Sequence, residues 1–230
     1  MTSWNELFGD EKNRELIPET AVYRFCSMVE GAFEERPLKF WDLGCGAGRH
    51  TVALARLGHD VYATDAAPRA VELTKQRLAE FDLSADVRLA DMTACPPQPS
   101  YFHGVVSWNV LHHNRIAAIR EAVSHIYESL IPGGMLVVTL KSDKADFAGQ
   151  GTEIEPGTFI HDVGDESGVP HHYFNEAGIR EMFAGWEFMV LAEQVIAHLE
   201  RPDRFWKYTP FPFTNWGIVV RKAVTPIVWI

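Results

Sequence analysis

Two pairs of adjacent histidines stand out in this 230-residue chain: His112-His113, and His171-His172 followed by Tyr173. Imidazole titrates near neutral pH and serves as a general base. His113, His171, His172 and Tyr173 are therefore the candidate catalytic groups, able to deprotonate or orient an acceptor. The rival account is structural, with the rings capping a helix or packing under a sheet edge. A metal site needs three or four converging ligands, and each pair supplies only neighbours. His161 and Asp162 would complete a set only if the fold gathered them, so no metal is expected.

A different chemistry is written in Trp41–Thr51, "WDLGCGAGRHT", where three glycines fall within five positions behind an apolar run. Glycine loses the most backbone freedom on folding, so such a cluster marks a place that needs bare backbone. Gly44 permits a tight turn, Gly46 close approach of a ligand, and Gly48 packing of the following helix against the strand. A dinucleotide fingerprint reads G-x-G-x-x-G; here the second and third glycines are one residue closer, which argues against a pyrophosphate cradle. Asp42 points the same way, because a carboxylate repels phosphates and attracts an ammonium or sulfonium group. Asp65 lies about 20 residues on, the spacing at which an acidic side chain meets ribose hydroxyls; it could equally cap the next helix. Asp91-Met92 offers a carboxylate for an adenine amino group and an apolar side chain for its ring, with a plain turn as the alternative.

These residues must be held by elements, and the pattern supplies them. An amphipathic helix is expected over 18–35, ended by Pro37. Strand and helix signals then alternate: strands at 39–43, 60–65, 86–91, 101–111 and 135–141, with helices at 49–57, 68–81 and 115–130. Such alternation means βαβ units, with a parallel sheet between two helical layers. The glycine loop follows the first strand, so it belongs at the carboxyl edge of the sheet, where ligands sit in doubly wound folds. Residues 142–174 are rich in Gly, Asp, Glu and His and weak in periodicity; a loop that long is functional or mobile. A helix at 175–184 and strands at 188–199 and 215–223 follow, the last two paired antiparallel across a short Pro-rich link. Phe205-Trp206, Trp216, and Trp4 to Phe8 could wall or cover a site, or simply pack.

Together Asp42-Leu43-Gly44-Cys45-Gly46-Ala47-Gly48, Asp65, Asp91-Met92 and "LIPGGMLVV" (130–138) resemble the class I S-adenosylmethionine-dependent methyltransferases, in order and spacing, over residues 38–142. The resemblance implies a doubly wound α/β fold with a seven-stranded, mostly parallel sheet whose last strand is antiparallel. It implies that Asp42, Gly44, Cys45, Gly46, Gly48 and Arg49 surround the methionine moiety of S-adenosylmethionine. Asp65 with Ala66 would meet the ribose, Asp91 and Met92 the adenine, and Asn109 would line the cleft. "WDLGCGAGRHT" and "HHYFNEAGIREMF" are most similar to bacterial small-molecule methyltransferases of the tellurite-resistance and ubiquinone-biosynthesis type. Enzymes that methylate DNA bases or glutamine amides carry Asn or Asp, two prolines and an aromatic at the end of the fourth strand. Asn109-Val110-Leu111-His112 departs from that.

One domain is expected: an N-terminal helical lid at 1–37, a cofactor-binding core at 38–142, an insertion at 142–174 serving as substrate lid, and a C-terminal helix and strands at 175–230. The expected reaction is SN2 methyl transfer to oxygen, nitrogen or sulfur of a small molecule. Acceptors on tRNA or protein, a catalytically silent cofactor-binding protein and a nicotinamide-dependent oxidoreductase are the rivals. The net charge of −10, with no run of Lys or Arg, disfavours nucleic acid. Three scattered cysteines and a polar, acidic N-terminus point to a reducing, cytoplasmic setting, and no apolar run reaches membrane-spanning length.

Overall fold

The computed structural model describes residues 4–10, 17–94, 98–164, 166–196 and 213–224. The chain runs α1 (Trp4–Leu7), α2 (Thr20–Ala32), β1 (Lys39–Leu43), α3 (Arg49–Arg56), β2 (Asp60–Asp65), α4 (Pro68–Glu80), β3 (Asp86–Leu89), β4 (Phe102–Ser107) and α5 (Ile116–Ser129). It continues through β5 (Leu130–Ser142), β6 (Thr152–Glu155), β7 (Thr158–Ile160), β8 (Pro170–Phe174), α6 (Glu176–Met182), β9 (Trp186–Ile196) and β10 (Phe213–Lys222).

β1, β2, β3, β4 and β5 pair in parallel in the order β3-β2-β1-β4-β5. β10 runs antiparallel to β5, and β9 antiparallel to β10. The resulting seven-strand run with a reversed last strand is the expected architecture, including the antiparallel late pair. The chain first winds outward from β1 to β2 and β3, then returns to the other side of β1 with β4. The order reverses between β1 and β4, and in open α/β sheets the ligand crevice lies at the carboxyl ends of the strands flanking that switch.

Side chains alternate across the sheet and build a core on each face. On one face Trp41, Val105, Leu136 and Val138 meet Ile119, Val123 and Ile126 of α5, together with Phe183 and Trp216. On the other, Phe40, Val106, Met135 and Val137 meet Val22, Phe25 and Val29 of α2. These α2 positions are the ones its periodicity puts on one face. Each such fully buried side chain contributes about 1.5–3 kcal/mol by area removed from water.

Four differences from the sequence-based elements bear on the site. β4 stops at Ser107, because Asn109 takes a left-handed conformation (φ 57°) that a strand cannot hold. β3 stops at Leu89, leaving Asp91 in a turn. Residues 142–174 are not one irregular loop: β6, β7 and β8 form an antiparallel meander, and β8 joins the main sheet beside the end of β5, with Tyr173 opposite Lys141. Trp216 is a core residue on β10, whereas Phe205 and Trp206 lie outside the described residues.

Candidate functional site

Two clusters occupy the carboxyl edge of the sheet. The first is the turn from β1 into α3. Gly44, Gly46 and Gly48 have φ of 75°, 55° and 84°, a region that side chains with a Cβ rarely enter. The N–H groups of Gly44 and Cys45 both donate to the Thr64 carbonyl, at 2.8 and 2.9 Å, tying the turn to β2. A Cβ at Gly44 would fall 2.2 Å from a methyl of Val110, in the turn after β4, so bare backbone here lets the two loops at the switch point touch. Gly48 differs from expectation. Its missing Cβ admits Thr74 of α4 rather than packing α3 on a strand: a Cβ at Gly48 would stand 2.9 Å from the Thr74 hydroxyl. Gly46 faces the Phe8 ring, 3.2 Å from where a Cβ would stand.

The carboxylates of this cluster have unequal surroundings. Asp42 is 2% exposed and accepts from the Thr51 hydroxyl at 2.5 Å. Burial pushes its carboxyl up to about 6, against the pull of Thr51 and Arg49. Asp65 accepts from Gly46 N–H on Oδ2 and from Ala67 N–H on Oδ1, both at 2.9 Å. Ala67, not Asp65, is the N-cap of α4. A carboxylate has about four acceptor positions, so two remain for hydroxyl groups. Burial pushes Asp65 up as well, with these N–H bonds opposing. Asp91 is exposed and accepts from the N–H and hydroxyl of Thr93, a tight Asx turn; Met92 beside it is buried. Cys45 is buried, with its sulfur 3.7 Å from the Thr74 hydroxyl. Arg49 pairs with Glu19 at 3.3 Å. Ala66 follows Asp65 at the rim.

These features fit the methyl donor named by the resemblance. Glycines at the turn, a first turn of α3 without a side-chain cap, and the carboxylates of Asp42 and Asp65 beside a Glu19-paired Arg49 suit a nucleoside bearing a cationic amino-acid tail.

The second cluster lies beyond β4 and β5. Asn109 donates its N–H to the Thr139 hydroxyl (2.8 Å) and accepts from that hydroxyl on Oδ1 (3.1 Å), which fixes the turn that carries His112 and His113. The His113 ring sits 4.8 Å from that of His171, and His171 is 5.3 Å from His161. His161 Nε2 and the Tyr173 hydroxyl share a hydrogen bond of 2.8 Å. Burial pulls His113 down to about 3, opposed by Glu166. Burial also pushes the Tyr173 phenol up and Lys141 down.

Three of the four expected catalytic residues, His113, His171 and Tyr173, thus come together. His172 does not. Neighbours on a strand point to opposite faces, and His172 turns from the cluster to donate from Nδ1 to the Thr158 hydroxyl (2.7 Å), with its ring against Phe174. Asp162, the neighbour of His161 that a metal set would recruit, is not among the convergent groups, whereas Glu166 is: its Oε2 lies 2.8 Å from His171 Nε2 and its Oε1 3.9 Å from His113 Nε2. Nothing in "GDESG" marks Glu166 by period or motif. A depression of about 330 Å³ lined by Arg120, Tyr127 and Trp186 shares no residue with either cluster.

α1 bridges the two. Asn5 Oδ1 accepts from the Arg69 N–H of α4 (2.9 Å), Phe8 lies against Gly46, and the Trp4 ring meets His113 edge-on at 4.8 Å. Among the described residues no helix is long and apolar enough to cross a membrane.

Comparison with known proteins agrees with this geometry. Residues 40–134 match the model of a methyltransferase domain. A ubiquinone biosynthesis O-methyltransferase of Methylocella silvestris is 32% identical over 130 residues, 55% of this chain and 50% of that protein. The chain spans about half the length of the curated relatives it matches. Among solved structures, a SAM-dependent methyltransferase from Methanosarcina mazei superposes with a TM-score of 0.69 at 16% identity, covering 91% of this chain and 100% of that one. TehB from Haemophilus influenzae gives 0.66 at 19% identity, covering 96% and 67%.

Proposed function

We propose that this chain, whose residues 40–134 match a methyltransferase domain, transfers a methyl group from S-adenosylmethionine to a hydroxyl oxygen of a small molecule. The observation that supports this most is the division of one sheet edge into a backbone cradle and an imidazole–carboxylate cluster, with α1 touching both. The bound donor supplies an electrophilic methyl on a sulfonium that leaves as a neutral thioether.

The protein's part is to position and to handle a proton. Asp42 and the Gly44–Arg49 turn hold the amino-acid end of the donor. Asp65, with its two remaining acceptor positions, takes the ribose hydroxyls, and Ala66 borders them. Asp91 accepts from the adenine amino group while Met92 covers the ring. Asn109, locked to Thr139, separates donor from acceptor. His113, His171 and Tyr173, with Glu166, line the acceptor's place; the Glu166–His171 pair takes the proton a hydroxyl must lose, and the neutral Tyr173 phenol orients the acceptor. Holding acceptor oxygen, methyl carbon and sulfur in line can contribute about 7–11 kcal/mol. The β6–β8 meander and α1 act as the cover that excludes water. The buried free thiols Cys26 and Cys45 accord with a reducing compartment.

Calorimetry with S-adenosylhomocysteine comes first, followed by assay of S-adenosylhomocysteine release against a panel of phenols, alcohols, amines and thiols. Binding plus turnover confined to hydroxyl acceptors is expected. Absence of binding by folded protein overturns the proposal. Binding without turnover on any member selects the silent cofactor-binding alternative, and turnover only on tRNA or protein moves the acceptor to a macromolecule.

A further inference from the structure

His113, Glu166 and His171 come from three separate stretches: the turn after β4, the loop before β8, and β8 itself. One donor atom from each lies within 4.8 Å of the other two. The carboxylate is shared between the rings, with Oε2 2.8 Å from His171 Nε2 and Oε1 3.9 Å from His113 Nε2. Metal–ligand bonds of about 2.0–2.2 Å place neighbouring ligand atoms roughly 3–3.5 Å apart. These two separations bracket that range and the third pair of donor atoms lies within 4.8 Å, so seating an ion draws the two rings together by up to about an ångström.

The orientation of His171 carries the argument further. Its Nδ1–H donates to the Val169 carbonyl at 3.0 Å, and its Nε2 faces the Glu166 carboxylate at 2.8 Å. Lone pair against lone pair is repulsive unless a proton or a cation lies between. Metal-ligating histidines characteristically donate the other ring N–H to a carbonyl or carboxylate, which fixes the tautomer and aims the ring. Both imidazoles are buried, with side chains 7% and 3% exposed. A metal ion held between the two Nε2 atoms and the carboxylate would meet all three groups at once.

We propose that His113, Glu166 and His171 bind one divalent transition-metal ion, such as zinc, at the acceptor end of the cleft. Two imidazoles and one carboxylate are a recurrent first-row metal set, and three protein ligands leave coordination positions for water or an oxygen of the acceptor. The site stands whether or not methyl transfer does. A second group, Cys26, Glu30 and His59, is similarly close but lies on α2 and before β2. It serves as an internal control.

The test is titration of the metal-stripped full chain with Co²⁺ and Zn²⁺, with folding followed by circular dichroism. One ion per chain is expected, giving visible d–d bands without a near-ultraviolet thiolate charge-transfer band. Glu166→Gln, His113→Ala and His171→Ala should each weaken Zn²⁺ binding at least about tenfold, and Cys26→Ser should not. Folded wild-type protein that takes up neither ion overturns the proposal. So does a thiolate band that disappears in Cys26→Ser, or uptake unchanged in all three cluster variants. If a variant fails to fold, the wild-type cobalt spectrum decides. A parallel titration with S-adenosylhomocysteine reports separately on the methyl-transfer reading.

Discussion

The turn between β1 and α3 takes its shape from three glycines held at positive φ, whereas the cluster at β8 takes its shape from side chains gathered from three stretches of chain. In the first, backbone groups and their immediate neighbours make the surface, and substitution acts through conformation. In the second, the backbone only delivers imidazoles and a carboxylate, and substitution acts through chemistry. The contrast predicts that damage at the turn appears in donor binding, while damage at the cluster appears in turnover.

The largest expected effect is at Gly44. Gly44→Ala would add a Cβ at φ 75°, 2.2 Å from Val110. Left-handed backbone alone costs a non-glycine residue roughly 1–2 kcal/mol, and the clash adds to it. S-adenosylhomocysteine affinity by calorimetry should fall at least about hundredfold. Next, Glu166→Gln should lower kcat about hundredfold, in the range of lost acid–base function, while that affinity stays within about twofold. Equal losses in both would erase the division between the two regions.

The pH dependence of stability should have opposite signs at the two ends. The Asp42 carboxyl titrates at about 6 in the fold and near 3.8 when unfolded. Between those values the native state binds more protons, so stability present below about pH 4 is lost as pH rises to 6 and is level above. The swing is about 3 kcal/mol. His113 is drawn down to about 3, so there the unfolded state binds more protons and stability grows as pH rises from 3 to about 6.5. Chemical denaturation of Asp42→Asn against wild type, from pH 4 to 7, isolates the first component as a difference that shrinks toward low pH. Asp65→Ala strands the Gly46 and Ala67 N–H groups and should cost about 1–3 kcal/mol in donor binding. The smallest effect is at His172. His172→Ala should leave kcat within about threefold and lower unfolding stability by about 1 kcal/mol, through the lost bond to Thr158. A hundredfold fall in kcat would return His172 to the catalytic set.

The same division governs how much of the molecule is legible in its amino-acid sequence. Local rules govern the β1–α3 turn: glycine spacing, apolar strands and helix starts are written in consecutive residues. The parallel sheet and the antiparallel β9–β10 pair follow from the same alternation. The strands β6 to β8 have only three to five residues and little period, so in the sequence they merge into a loop. Once "PHHYF" is a strand, alternation alone separates His172 from His171 and Tyr173. Glu166 has no such marker, because its place depends on how the loop before β8 folds back over His113. Asn109 gives no sign of its left-handed turn, though asparagine tolerates that conformation better than most residues.

Trp4 and Phe8 are the two ends of a single helical turn, one against His113 and the other against Gly46. A displacement that frees one ring draws the other with it, since the residues between them are wound as one unit. On the function proposed above, the doorways for the two reactants would share one leaf, and their comings and goings would be mechanically linked.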